Sequence, residues 1–136
     1  MINSKCNDTE LIQKAIKAME HSYSPYSHFS VGAAIMTESG NIYTGCNVEN
    51  SSYGATICAE RTAALKAISE GERKIEHIAI VSSSGDFTFP CGICRQFLSE
   101  FMPSEGRIIL SDKNNNIKIY TLGELLPEAF MLNTKD

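Results

Sequence analysis

The segment Cys58-Ala-Glu-Arg61, followed at a distance by Pro90-Cys-Gly-Ile-Cys94, constrains this chain more than any other feature. It offers three thiolates and one carboxylate, with no fourth protein ligand at matching spacing. Structural zinc is normally closed by four Cys or His ligands, whereas catalytic zinc keeps three and leaves the last position to water. The inventory is therefore that of a catalytic site with one Zn2+ per chain. Cys58, Cys91 and Cys94 are its ligands, and Glu60 is the carboxylate beside the metal rather than on it. Any fold that uses these motifs must bring position 58 and the Cys91/Cys94 pair into one coordination sphere.

The other cysteines do not compete for this role. Five is an odd count, and in a reducing compartment thiols are read as metal ligands or buried apolar groups rather than as a disulfide framework. Cys6 and Cys46 lack ligand spacing and read as small hydrophobes or spare thiols. His21, His28 and His77 also stand at spacings unrelated to the cysteines.

Residues 9–21 place Leu11, Ile12, Ala15, Ile16 and Met19 at helical spacing, with Asp8 or Thr9 available as the cap. Turn chemistry in Ser22-Tyr-Ser-Pro-Tyr-Ser27 leads to an apolar run over 31–36. A turn at 38–41 then gives way to Ile42-Tyr-Thr, the pattern of a hairpin. Residues 58–70 carry Ala63, Ala64, Ala67 and Ile68 on one helical face and stop at Gly71. Residues 75–81 read as a strand, 91–102 as a helix ended by Pro103, and 107–110 as a strand. A turn at 113–116 precedes a last strand over 117–120, and Thr121-Leu-Gly-Glu124 matches a capping box.

Each ligand motif thus opens a helix, where unpaired amides and the helix dipole favour negatively charged sulfur. The pattern predicts a single α/β domain over 1–136, with a mixed sheet of about five strands covered by helices and a polar, disordered tail over 131–136.

Composition narrows the partners. The chain carries 12 Lys and Arg against 16 Asp and Glu, a formal charge of -4, with no basic cluster, which argues against nucleic acid. A hydrophobic content of 43% includes no run able to span a bilayer, and the start does not resemble a secretion signal. A small neutral substrate in the cytoplasm, with no membrane partner, is the expectation.

Five ordered segments then make the chain resemble the small homotetrameric zinc-dependent cytidine deaminases over nearly its whole length. They are Tyr26-Ser-His-Phe29 leading into Val31-Gly-Ala-Ala34, Gly45-Cys-Asn-Val-Glu-Asn50, Cys58-Ala-Glu-Arg-Thr-Ala63, Pro90-Cys-Gly-Ile-Cys-Arg-Gln96 and Leu125-Leu-Pro-Glu-Ala-Phe130. The resemblance implies the three-layer α-β-α fold of that family and hydrolytic deamination of cytidine and 2′-deoxycytidine in pyrimidine salvage. It implies that Asn47 and Glu49 hydrogen-bond the ribose, Phe29 lies against the base, the Ala59 N–H meets the pyrimidine O2, and Arg61 donates to the ligand sulfurs. It further implies a homotetramer whose active sites are shared, with Tyr53 and Phe130 reaching into neighbouring subunits. Ile93 departs from the pattern, standing where a smaller residue is common.

The chemistry agrees with this inventory. Loss of ammonia from cytidine needs hydroxide at C4, a proton for ring N3 and a proton for the leaving amine. Zinc-bound hydroxide with Glu60 as proton shuttle meets all three needs. Four rivals differ in what they leave unused. A non-enzymatic zinc fold has no use for Glu60, and a redox Cys-x-x-Cys leaves Cys58 unexplained. A nucleotide or nucleic-acid deaminase lacks support from the net charge, and a nucleoside-antibiotic deaminase is expected to differ at Asn47-Val-Glu-Asn50.

Overall fold

A computed structural model describes the backbone of residues 4–132, with side chains described from Asp8 onward. Helix α1 spans Ser4–Met19, and strands β1 (Val31–Thr37) and β2 (Ile42–Cys46) form the expected hairpin. Helix α2 (Ala59–Ser69) follows a single 3-10 turn at Tyr53–Ala55. Then come β3 (Ile75–Ser82), α3 (Gly92–Ser99), β4 (Arg107–Ser111), β5 (Ile117–Thr121) and the short α4 (Leu122–Leu125). The five strands form one mixed sheet in the order β2-β1-β3-β4-β5, in which only β3 and β4 are parallel.

Strand alternation divides the core between the two faces of the sheet. Ile35 of β1, Ile78 and Ile80 of β3, and Ile108 and Leu110 of β4 pack with Ala59, Ala63, Ala64 and Ala67 of α2 and Leu98 of α3. The intervening Ala34, Met36, Ala79, Val81 and Ile109 pack instead with Leu11, Ile12 and Ala15 of α1. The result is three layers, with α1 on one face and α2 and α3 on the other.

Two glycines let the helices approach the sheet this closely. A Cβ on Gly32 would lie 2.0 Å from the Ala15 carbonyl oxygen in α1, and one on Gly45 would lie 2.5 Å from the Ala63 nitrogen and 2.8 Å from the Ala59 oxygen in α2. Both obstacles are backbone, so neither can rotate away. Gly45→Ala is expected to cost about 3 kcal/mol by overpacking and to push back the start of α2. A denaturant midpoint at wild-type level would refute that packing.

Two elements differ from the sequence reading. Helix α1 begins earlier, so Asp8 lies inside it rather than at its cap, and its carboxylate pairs with both terminal nitrogens of Arg107 at 2.9 and 2.7 Å. That ion pair ties α1 to the start of β4 across 99 residues, a contact no local pattern reveals. Helix α3 stops at Ser99 rather than reaching position 102, although the Phe101 and Met102 amides still donate to the Leu98 carbonyl. The Thr121/Glu124 capping box is present, with both reciprocal hydrogen bonds formed. Of the tail expected over 131–136, Met131 and Leu132 are described and exposed, and 133–136 lie outside the described residues, as does the Cys6 side chain.

Candidate active site

The sheet order explains how the two motifs meet. Strands β2 and β3 flank β1 and are both antiparallel to it, so they run in the same direction. Helix α2 follows β2 and α3 follows β3, and both lie on the same face. Their N-termini therefore emerge at the same end of the sheet.

Cys58 and Cys91 are the N-cap residues of these helices, and Cys94 lies in the first turn of α3. The three Sγ atoms lie within 4.8 Å of one another, with Cys58 and Cys91 3.7 Å apart. Neither cap forms a side-chain hydrogen bond to its helix, which leaves the sulfurs free to face each other. Among the described residues this is the one cluster of three or more His, Cys, Asp or Glu side chains at ligand spacing, and it contains no histidine.

Electrostatics show what the cluster requires. The Cys94 thiol donates to Cys58, and this, with Arg61 and Cys91, lowers the Cys58 pKa to about 5 against the opposing effect of burial. The same contact with Cys58, reinforced by burial, pushes Cys94 strongly upward. One thiolate forms readily, and its charge resists the next. A divalent cation removes that conflict, so three converging sulfurs fit a single zinc ion, for which thiolate is a preferred donor.

Glu60 stands one residue inside α2 and is 4% exposed. Burial raises its carboxyl to about 7, with the nearby Cys58 sulfur adding to the rise. A carboxyl held between its two protonation states near neutral pH is suited to accept and return a proton. Ala59, the first residue of α2, is fully buried, and its amide is among the first-turn donors that have no partner within the helix.

Arg61 turns back toward the cluster. Its Nη2 lies 3.7 Å from Cys58 Sγ and 3.5 Å from the Thr56 carbonyl, and its Nε is buried without a partner. Arg95, by contrast, donates to the Pro90 and Leu125 carbonyls, both at 2.8 Å, and so holds the chain around the Cys91 loop. Ile93 is 66% exposed and does not crowd the space between the two cysteines.

The remaining sequence candidates lie on two facing segments. Asn47 is buried, and its amide oxygen accepts from the Val31 N–H at 2.9 Å and from the Ser22 hydroxyl. Its nitrogen donates to the Phe29 carbonyl at 2.8 Å. Glu49 Oε1 accepts from the Tyr26 and Ser27 amides at 2.9 and 3.1 Å, and Oε2 accepts from the Ser27 hydroxyl. Phe29 is partly exposed, and Tyr53 is exposed and meets Tyr26 edge-on at 6.1 Å between centroids. Phe130 is exposed too, its carbonyl held by Gln96 at 2.8 Å.

The clamp between residues 22–31 and 47–51 escaped sequence reading, because its partners lie 16 to 25 residues apart. Its only signal was the density of serines in Ser22-Tyr-Ser-Pro-Tyr-Ser27, which read as turn chemistry alone.

Comparison with known proteins agrees with this geometry. A cytidine deaminase of Halalkalibacterium halodurans is 47% identical over 120 residues, covering 88% of this chain and 91% of that protein. A cytidine deaminase of Sporosarcina psychrophila is 46% identical over 121 residues, covering 89% of each. A crystal structure of cytidine deaminase from Burkholderia pseudomallei superposes with a TM-score of 0.85 at 41% identity, covering 90% of this chain and 98% of that one. Residues 5–110, which include all three clustered cysteines and Glu60, match the cytidine and deoxycytidylate deaminase zinc-binding region, and the chain belongs to that family.

Proposed function

We propose that this protein is a zinc-dependent hydrolase that converts cytidine and 2′-deoxycytidine to uridine and 2′-deoxyuridine, releasing ammonia. The observation that carries the reading is a buried carboxyl, Glu60, beside three converging sulfurs with no fourth side chain at ligand spacing among the described residues. Cys58, Cys91 and Cys94 would hold the metal. When bound, zinc supplies the Lewis acidity that makes water a usable nucleophile at neutral pH. Glu60 takes a proton from the attacking water and delivers it to ring N3. As the new C–O bond at C4 is retained and the C–N bond breaks, Glu60 passes the second proton to the departing amine. Arg61 offsets the negative charge of the thiolates by donating to Cys58.

The substrate contacts are part of the same proposal. Phe29 forms the aromatic wall for the base, and the Ala59 N–H meets O2. Glu49 and the remaining N–H of Asn47 receive the sugar hydroxyls, which suits an uncharged nucleoside. A formal charge of -4 is consistent with such a ligand and with no nucleic-acid partner. The protein acts in the cytoplasm, where its free cysteines stay reduced. No helix among the described residues is long and apolar enough to cross a membrane.

Purified protein should turn over both nucleosides, followed by ultraviolet absorbance, and should retain about one zinc per chain, as a three-thiolate catalytic site requires. CMP and single-stranded DNA should be inert. Bound zinc without nucleoside turnover would point to a related aminated nucleoside, such as a nucleoside antibiotic.

The functional unit is proposed to be a homotetramer with shared active sites. Tyr53 is 77% and Phe130 66% exposed, values that leave both rings free to enter a neighbouring subunit's site. Activity per chain should therefore collapse on dilution below the assembly threshold. A monomer of full specific activity, identified by light scattering, would contradict shared sites.

A further inference from the structure

We infer that Ser27 is a positioning residue that couples recognition of the sugar to recognition of the base. This inference rests on the cytidine deaminase reading and extends it to a residue outside the zinc, proton-shuttle and substrate-contact sets.

Ser27 uses both functions of its hydroxyl. It donates to Glu49 Oε2, and it accepts the Phe29 N–H at 3.0 Å. One side chain thus joins the carboxylate proposed for the sugar to the residue that forms the aromatic wall. The Ser27 amide adds a second bond to Glu49, at Oε1, and the Tyr26 amide a third. The Ser27 hydroxyl is also the chief reason the Glu49 carboxyl stays below its ordinary range.

The link matters because the backbone between the two contacts is not relaxed. His28 stands at φ 59, in the left-handed region that L-residues seldom occupy. The turn is held by its bonds: the His28 amide donates to the Ser24 carbonyl at 3.0 Å, and Ser27 receives Phe29 immediately after. Asn47 fixes the far side of the Phe29 peptide through its carbonyl. Without the Ser27 hydroxyl, Glu49 loses the bond that orients its second oxygen, and Phe29 is held from one side only.

The three clustered cysteines and Glu60 lie on other elements, at the starts of α2 and α3, so the loss should appear in binding rather than in chemistry. Ser27→Ala is expected to raise KM for cytidine about tenfold, with kcat within about threefold of wild type, the signature of lost uniform binding. Ser27→Thr, which restores the hydroxyl, should recover most of that KM. In a Glu49→Gln background the same Ser27→Ala change should cost less than about twofold, because two residues acting as one unit are not additive. Zinc content should match wild type in each variant, since none of them alters the cysteine cluster, and any fall in thermal midpoint should be small beside that of a cysteine variant.

A wild-type KM in Ser27→Ala, a loss confined to kcat, or full additivity with Glu49→Gln would each overturn the inference while leaving the enzymatic reading intact. Failure of the wild-type protein itself to turn over cytidine, run in the same assay, would remove the enzymatic reading and this inference with it.

Discussion

Glu60→Gln should retain zinc and fold while losing cytidine turnover by about 10³-fold, the scale on which positioned proton transfer contributes to catalysis. The side chain is 4% exposed and its carboxyl is raised to about 7, chiefly by burial. The amide fills the same volume but neither takes up nor releases a proton near neutral pH, so the loss should fall on kcat and leave substrate binding largely in place. Stability should not suffer, because a neutral amide removes the cost of burying a group that ionises near neutral pH. Zinc analysis and a thermal scan on the same sample separate this outcome from collapse of the site. Residual kcat within tenfold of wild type would refute the assignment of the proton shuttle to Glu60.

Cys58→Ala should fail in a different way, losing metal, activity and stability together. Cys58 is the N-cap of α2, whereas Cys91 and Cys94 belong to α3, so a metal held by the three sulfurs would join the two helices through Cys58 alone. Because metal binding is coupled to folding, its loss is expected to cost about 3 kcal/mol or more, or about 10 °C in the thermal midpoint of a domain this size. Zinc should fall from about one per chain to background, and treating wild-type protein with a strong chelator should lower its midpoint to a similar degree. A variant that keeps stoichiometric zinc would require another donor in place of Cys58 and would end the three-sulfur description. The contrast between the two substitutions is itself informative, since they stand two residues apart and differ in whether stability follows activity.

Most of the candidate site was legible in the residues themselves. The candidate ligands follow from residue type and short-range spacing: Cys91 and Cys94 are separated by one turn's reach at the start of a helix, and Glu60 follows Cys58 at a helix entrance. The strands, the hairpin and the Thr121 capping box were also readable, because each depends on neighbours within a few positions. Helix ends were less so. The Asp8 position favoured a cap on local grounds, but α1 starts at Ser4, and the Asp8 carboxylate pairs with Arg107 from inside the helix, a contact that lies 99 residues away in the chain.

The sequence by itself determined a three-sulfur, one-carboxylate site on two helix starts, since ligand chemistry, helix periodicity and strand alternation act over a few residues. The tertiary structure alone decided where those starts lie. Cys58 and Cys91 are 33 positions apart, and they meet because β2 and β3 run in the same direction on either side of β1 with both following helices on one face. It also decided that Ser27, Asn47 and Glu49 form one clamp, in which Asn47 is committed chiefly to the chain's own backbone. Both outcomes depend on sheet order and hydrogen bonds between distant segments, free energies that no window of neighbouring residues contains.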